Sequence, residues 1–215
     1  MRSIAGMLLQ VLVCVTSIPG VIHAQSSGSA ALDQRIQQFL DGRRGAWRDS
    51  NVSEADGRIL HDLIVERGFR HAVEIGTSTG HSGIWLGRAL ARTGGRLITV
   101  EIDARRHRVA VDNFKAAGLA DLIDARLGDA HQLVPQLDDP IDFVFSDADN
   151  EWYRNYFVAL WPKITPGGCF TAHNVTGNMR GIREFLDHLK TVPDATTSID
   201  RRSRSGISVT CKRKD

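Results

Sequence analysis

An α/β fold with a doubly wound, mostly parallel seven-stranded sheet and a C-terminal antiparallel hairpin is predicted by the 215-residue sequence. Three observations lead there. Short apolar runs alternate with amphipathic helical stretches between residues 72 and 189. Glycines or acids follow those runs instead of more core residues. The last two runs flank a turn at Ser203–Gly206, as a hairpin would. Apolar strands separated by helices belong to sheets covered on both faces. A chain 42% hydrophobic and 24% charged has a globular balance and the length of one ordinary domain. Lys plus Arg number 27 against 25 Asp plus Glu, so the net charge is only +2. That excludes a strongly basic nucleic-acid binder and an acidic solvating tail.

The chain opens with an export signal over residues 1–24. Arg2 supplies the positive start and Ile4–Val15 the apolar run. Thr16, Ser17, Pro19 and Gly20 break it, and Ala24 offers a small residue for cleavage. The run is shorter than the roughly 20 residues that a membrane span needs. The expectation is an exported protein, periplasmic or secreted, with no stable span after cleavage. An uncleaved anchor is the alternative. Residues 25–30, rich in Ser and Gly, read as a flexible leader. Residues 31–215 read as one domain with a helical cap over 31–68.

Within the cap, Leu32, Ile36, Phe39 and Leu40 share one helical face, which Gly42 ends. Ser53 and Asp56 have capping-box spacing before the stripe Ile59, Leu60, Leu63 and Ile64. Strands follow at 72–75, 97–100, 123–127, 141–146 and 169–172, with helices over 81–92, 104–117, 130–136, 151–161 and the stripe Met179–Leu189. Two final strands are expected near 196–200 and 206–212. A turn is expected at Pro166-Gly167-Gly168. Cys169 and Cys211 lie in apolar stretches and read as buried free thiols, with a bridge open in an oxidising compartment.

Ligands of such sheets bind outside the carboxyl ends of the strands, and polar residues gather at four of them. Glu74-Ile75-Gly76-Thr77-Ser78-Thr79-Gly80-His81-Ser82 is a tight turn whose helix-start amides favour an anionic group, while Glu74 suits an ammonium. Its G-x-x-x-G spacing differs from the G-x-G-x-x-G of dinucleotide enzymes. Glu101, 21 positions beyond Gly80, suits ribose hydroxyls. Gly128-Asp129-Ala130 places an acid where an adenine amino group would sit. Asp147-Ala148-Asp149 and, one strand on, His173-Asn174 could gather round a divalent cation, or form a hydrogen-bonded polar cluster without one.

In this order, these segments resemble the class I S-adenosylmethionine-dependent O-methyltransferases with their Rossmann-like fold, above all the small cation-dependent group of catechol and caffeoyl-coenzyme A enzymes. The resemblance covers about residues 51–212. It implies S-adenosyl-L-methionine as cofactor and O-methylation of a small hydroxylated acceptor, aromatic ones included. By it, Glu74, Gly76, Thr77, Ser78, Gly80 and Ser82 line the methionine end, Glu101 holds the ribose, and Asp129 and Ala130 flank the adenine. Asp147 matches the first metal-ligand position and touches the cofactor's amino group, Asn174 matches the amide ligand, and Asn51–Ser53 closes over the cofactor. A homodimer is also compatible with similar enzymes.

Two positions depart from the pattern. His173 stands where the group has a second Asp, and Asn150 where it has a Lys. Imidazole shifts ion preference from magnesium toward softer divalent metals, and Asn150 cannot serve as a base. Asp147, His173 and Asn174 are therefore expected to hold either a softer divalent ion or the acceptor hydroxyl. In the second case neutral His173 would be the base. Trp47, Trp152 and Tyr153 are candidate walls for a planar acceptor, with core packing as the plainer reading. Two other functions stay open: an exported S-adenosylmethionine-binding protein without catalysis, and a nicotinamide-dependent oxidoreductase. Asn51 and Asn174 each begin a glycosylation sequon. A sugar on Asn174 would block the site, which points to a bacterial periplasm.

Overall fold

The computed structural model describes residues 19–138 and 140–214. Its single sheet has the order β3-β2-β1-β4-β5-β7-β6. The strands are β1 (His71–Ile75), β2 (Arg96–Glu101), β3 (Ile123–Leu127), β4 (Ile141–Ser146), β5 (Ile164–Ala172), β6 (Ala195–Asp200) and β7 (Ile207–Lys212). The first five are parallel, and β7 runs antiparallel to both β5 and β6. The chain order reverses between β1 and β4, which is where such sheets open a ligand crevice.

Alternation along the strands sorts side chains to two layers. Ala72, Leu97, Phe143, Phe145 and Cys169 face a core shared with α1 (Pro19–Gly42), α2 (Glu54–Arg67), α3 (His81–Thr93) and α4 (Ala104–Ala117). Val73, Ile75, Val144 and Phe170 face the opposite core. There they meet α6 (Tyr153–Leu160) and α7 (Arg180–Leu189), with the short α5 (Ala130–Leu133) at the margin. The Ser53–Asp56 capping box is present in full, and Gly68 closes α2 in the left-handed conformation.

The export-signal reading falls largely outside the described residues. The expected leader at 25–30 is instead helical, because α1 starts at Pro19. Ile36 and Leu40 are buried, Arg88 pairs with Asp33, and Arg35 donates to the last carbonyls of α4. These contacts hold the later turns of α1 against α3 and α4. Among the described residues no helix is long and apolar enough to cross a membrane.

Two further readings change. β5 starts at Ile164, so the expected turn at 166–168 lies within a strand. Its register with β4 slips between the Ile141↔Ile164 and Phe143↔Cys169 pairs, and Gly167 takes φ +84° there. Cys169 and Cys211 lie directly opposite each other on β5 and β7 and form a disulfide. The free-thiol reading considered each residue by itself. Antiparallel pairing of strands 42 residues apart is what brings the two sulfurs together.

Candidate active site

A cavity of about 410 Å³ lies outside the carboxyl ends of the strands. Its lining includes Gly76, Ser78, Glu101, Asp129, Ala130 and Asp147, all expected at the cofactor. A cavity of about 490 Å³ at the amino edge, lined by His71, Arg96 and Asp121 among others, contains none of the predicted site residues.

The glycine turn builds one wall. Gly76 has φ +100°, and a Cβ there would lie 2.6 Å from the carbonyl oxygen of Asp147. Only glycine lets the β1 and β4 loops approach so closely. Gly80 precedes α3 at φ +95°, where a Cβ would lie 2.8 Å from the Phe114 ring. Glu101 anchors the turn from below. It accepts from the Ser78 amide at 2.7 Å and the Asp103 amide at 3.0 Å. Each carboxylate oxygen keeps acceptor capacity for a ligand diol. The cap side closes the turn from above. Asn51 donates to the Thr79 hydroxyl at 2.7 Å and accepts from the His81 amide at 3.2 Å, while Ser50 lines the cavity.

Glu74, Thr77, Gly80 and Ser82 are not in the lining. Strand alternation turns Glu74 toward α3, where it is fully buried. It accepts from the Thr99 hydroxyl at 2.6 Å, and the Thr99 and Thr77 hydroxyls meet at 2.5 Å. Its other carboxyl oxygen has no hydrogen-bond partner. Burial pushes the Glu74 carboxyl up to about 8, against hydrogen bonds from Ser82 and Thr99. That shift favours the neutral carboxyl, which lies beneath the turn and outside the cavity lining.

Asp129 caps α5 through the His131 amide at 2.9 Å. The His131 ring stacks on Trp152 with centroids 3.7 Å apart and contacts Asp149 at 3.3 Å. Trp152 therefore stands beside the Asp129 end of the cavity. Tyr153 is a core residue packed edge-on to Phe185, and Trp47 packs on Phe39 and His81. Asn150 starts the 3₁₀ turn into α6 and has a buried amide nitrogen without a hydrogen-bond partner.

On the other side of Asp147 lies a buried polar cluster. Nδ1 of His173 is 3.2 Å from Asp147 and Nε2 is 3.4 Å from Asp56, both at ion-pair range. Asn174, in the left-handed conformation at φ 59°, donates to Asp147 at 3.2 Å. Asp56 was legible only as a helix cap. Its place in the site depends on how α2 packs and could not be read from spacing.

Burial alone would lower the His173 imidazole, but Asp147 and Asp56 outweigh it and push it up to about 9. Burial alone would raise Asp56, yet the His173 ring beside it and the hydrogen bonds from Ser53 hold it well below the usual carboxylate range. Burial pushes Asp147 up, against the pull of His173. A carboxylate thus faces each nitrogen of His173, an arrangement that favours the protonated ring over the expected neutral base.

The set fits a divalent ion poorly as arranged. Metal-bound imidazole must offer a bare nitrogen, whereas both nitrogens here face carboxylates. Asn174 turns its amide nitrogen, not its oxygen, toward Asp147. Among the described residues no group of three His, Cys, Asp or Glu side chains is arranged to hold a metal.

The comparisons agree with this geometry. A family described as "Methyltransferase domain" matches residues 73–175, from β1 to just past Asn174. A catechol O-methyltransferase of Niastella koreensis is 37% identical over 129 residues, 58% of this chain and 58% of its own length. Caffeoyl-CoA O-methyltransferase 1 of Eucalyptus globulus is 29% identical over 137 residues, covering 61% of this chain and 55% of its own length. The chain thus spans somewhat over half the length of these relatives. Among solved structures, an O-methyltransferase from Bacillus cereus in complex with SAH superposes with TM-score 0.72 at 28% identity, covering 89% of this chain and 97% of that one. TomG from Streptomyces achromogenes, an O-methyltransferase in complex with SAM, gives TM-score 0.72 and 28% identity over 89% and 96%. The nicotinamide alternative finds no support among these relatives. Glycine turn, strand-end acids and strand order thus accompany a methyltransferase-domain match over residues 73–175, and the chain is similar to class I S-adenosylmethionine-dependent O-methyltransferases.

Proposed function

We propose that this chain transfers a methyl group from S-adenosylmethionine to a hydroxyl of a small aromatic acceptor. One observation carries the reading. Asp147 lines the cavity and also contacts the buried polar cluster, so one side chain joins the cofactor end to the place where an acceptor oxygen would lie.

The cavity has a volume suited to a small-molecule ligand. Ser78 and Glu101 present a backbone turn and a carboxylate toward a ribose, and Asp129 faces the far end. Bound there, S-adenosylmethionine would supply a methyl group activated by its sulfonium. The protein's part is alignment, because an in-line displacement depends on placing two atoms along one axis. Asp147 is placed to receive the acceptor's hydroxyl proton, and His173 and Asn174 hold that carboxylate in position. The names of the catechol and caffeoyl-CoA relatives support an aromatic, hydroxylated acceptor.

We also propose that the protein works outside the cytoplasm. The apolar run beginning at Ile4 and the Cys169–Cys211 disulfide support this together, since disulfides persist in oxidising compartments.

Calorimetric titration with S-adenosylhomocysteine, followed by a panel of catechols and other phenols, tests the transfer. Binding is expected in the wild type. Glu101→Gln is expected to weaken it by about 10- to 100-fold, the loss of charge-assisted hydrogen bonds worth about 1.5–3 kcal/mol. No binding by the wild type would overturn the cofactor reading. Binding without methyl transfer to any acceptor would leave a binding protein.

A further inference from the structure

The mismatch between the polar cluster and a divalent ion has a physical consequence. Two carboxylates converging in a buried space repel unless something positive lies between them. Metal sites meet that need with an ion held by oxygens at about 2.0–2.6 Å. Here a side chain fills the space. The His173 ring stands between Asp56 and Asp147, one nitrogen toward each, at 3.4 and 3.2 Å.

The surroundings complete the arrangement with donors. Ser53 donates its hydroxyl to Asp56 at 2.7 Å and its amide at 3.1 Å. Asn174 donates to Asp147 at 3.2 Å. Carboxylates are acceptors only, and the ring and these donors converge on one oxygen of each, Oδ2 of Asp56 and Oδ1 of Asp147, while Asp56 Oδ1 is buried without a hydrogen-bond partner. The three side chains come from three elements: the first turn of α2, the end of β4 and the residue after β5.

We propose that the Asp56–His173–Asp147 sandwich takes the place of a divalent cation, so that this enzyme works without a metal. His173 is then a positioning residue that keeps the Asp147 carboxylate at the cavity wall, and Asp56 holds the ring from behind. The catalytic consequence rests on the methyl-transfer reading, whereas the metal-free cluster does not.

Replacing the ring by a carboxylate inverts the site. His173→Asp leaves three carboxylates and the Asn174 amide facing one another, a donor set suited to a hard cation. Binding of Mn²⁺, Mg²⁺ and Zn²⁺ should be measured by calorimetry, with electron paramagnetic resonance for Mn²⁺, both with and without S-adenosylhomocysteine. The wild type is expected to bind none of these ions at the cluster, and its turnover to be the same with and without EDTA. His173→Asp is expected to bind Mn²⁺ at least tenfold more tightly than the wild type, with turnover that EDTA removes. One equivalent of any of the three ions bound by the wild type and lost in His173→Asn would overturn the proposal, as would inactivation of the wild type by EDTA. The wild-type measurements stand even if His173→Asp fails to fold. Because the metal titrations are also run without cofactor, failure to bind S-adenosylhomocysteine would count against the function and leave the metal result interpretable.

Discussion

Around Gly76, Ser78 and Glu101 the site is organised through backbone. A strand end turns, an amide meets a carboxylate, and the residues involved lie within 26 positions of one another, from Gly76 to Glu101. Around Asp56, His173 and Asp147 it is organised through side chains from distant parts of the chain. Residues 56 and 173 meet only because the tertiary fold brings the first turn of α2 beside the residue that follows β5. The first region depends on the shape of the turn and on the one carboxylate, Glu101, that anchors it. The second depends on a particular set of charges, and one changed side chain, His173, changes its chemistry.

The largest expected effect comes from the point where the two regions touch. Gly76→Ala puts a Cβ 2.6 Å from the Asp147 carbonyl in a left-handed backbone. It should reduce S-adenosylhomocysteine affinity at least 100-fold in calorimetry and abolish transfer. Gly42→Ala, with nothing within 4 Å of the added carbon, should leave both unchanged. Equal affinities in the two variants would show that the close approach of the β1 and β4 loops does not matter.

Next in size is the Cys169–Cys211 bridge, which joins β5 to β7. Its loop closes a sequence separation of 42 residues. Loop-closure entropy gives about 4 kcal/mol for such a link, or a fall in Tm of about 8–16 °C for a domain of this size. The Cys169→Ser/Cys211→Ser pair should show that fall by calorimetry while S-adenosylhomocysteine binding, measured below the transition, persists. Thiol trapping sharpens the export reading. Protein recovered from outside the cytoplasm should carry the bridge, and protein retained in a reducing cytoplasm should carry free thiols.

The smallest effect concerns Glu74 and is a pH dependence. Its folded pKa of about 8 lies above the ordinary 4.5. The buried neutral acid is therefore favourable below pH 4.5, and its contribution is lost as pH rises through 8. Wild-type stability should fall relative to Glu74→Gln between pH 5 and pH 9, by up to a few kcal/mol in denaturant titrations. Parallel stability profiles would mean that Glu74 ionises without cost.

Much of the fold was legible because strand and helix periodicities are local. The α2 capping box, the ends of α4 and the β6–β7 hairpin follow from residues within a few positions of one another. The cavity lining at Gly76, Ser78, Glu101, Asp129, Ala130 and Asp147 was legible for the same reason, since each residue closes a strand or opens the turn after it. The burial of Glu74 was not legible because a strand-end acid looks alike whether it points up or beneath α3. The early start of β5 was hidden by Pro166-Gly167-Gly168, which reads as a turn and is accommodated as an irregularity within the strand.

Periodicity, turn chemistry and the succession of strand-end acids, all short-range properties, determined the doubly wound sheet and the cofactor edge before any coordinates. Tertiary structure alone decided that Asp56 reaches His173, that Cys169 meets Cys211, and that Glu74 is sealed from water. Those outcomes depend on which surfaces pack together, and burial and charge become defined only once distant segments share the same space.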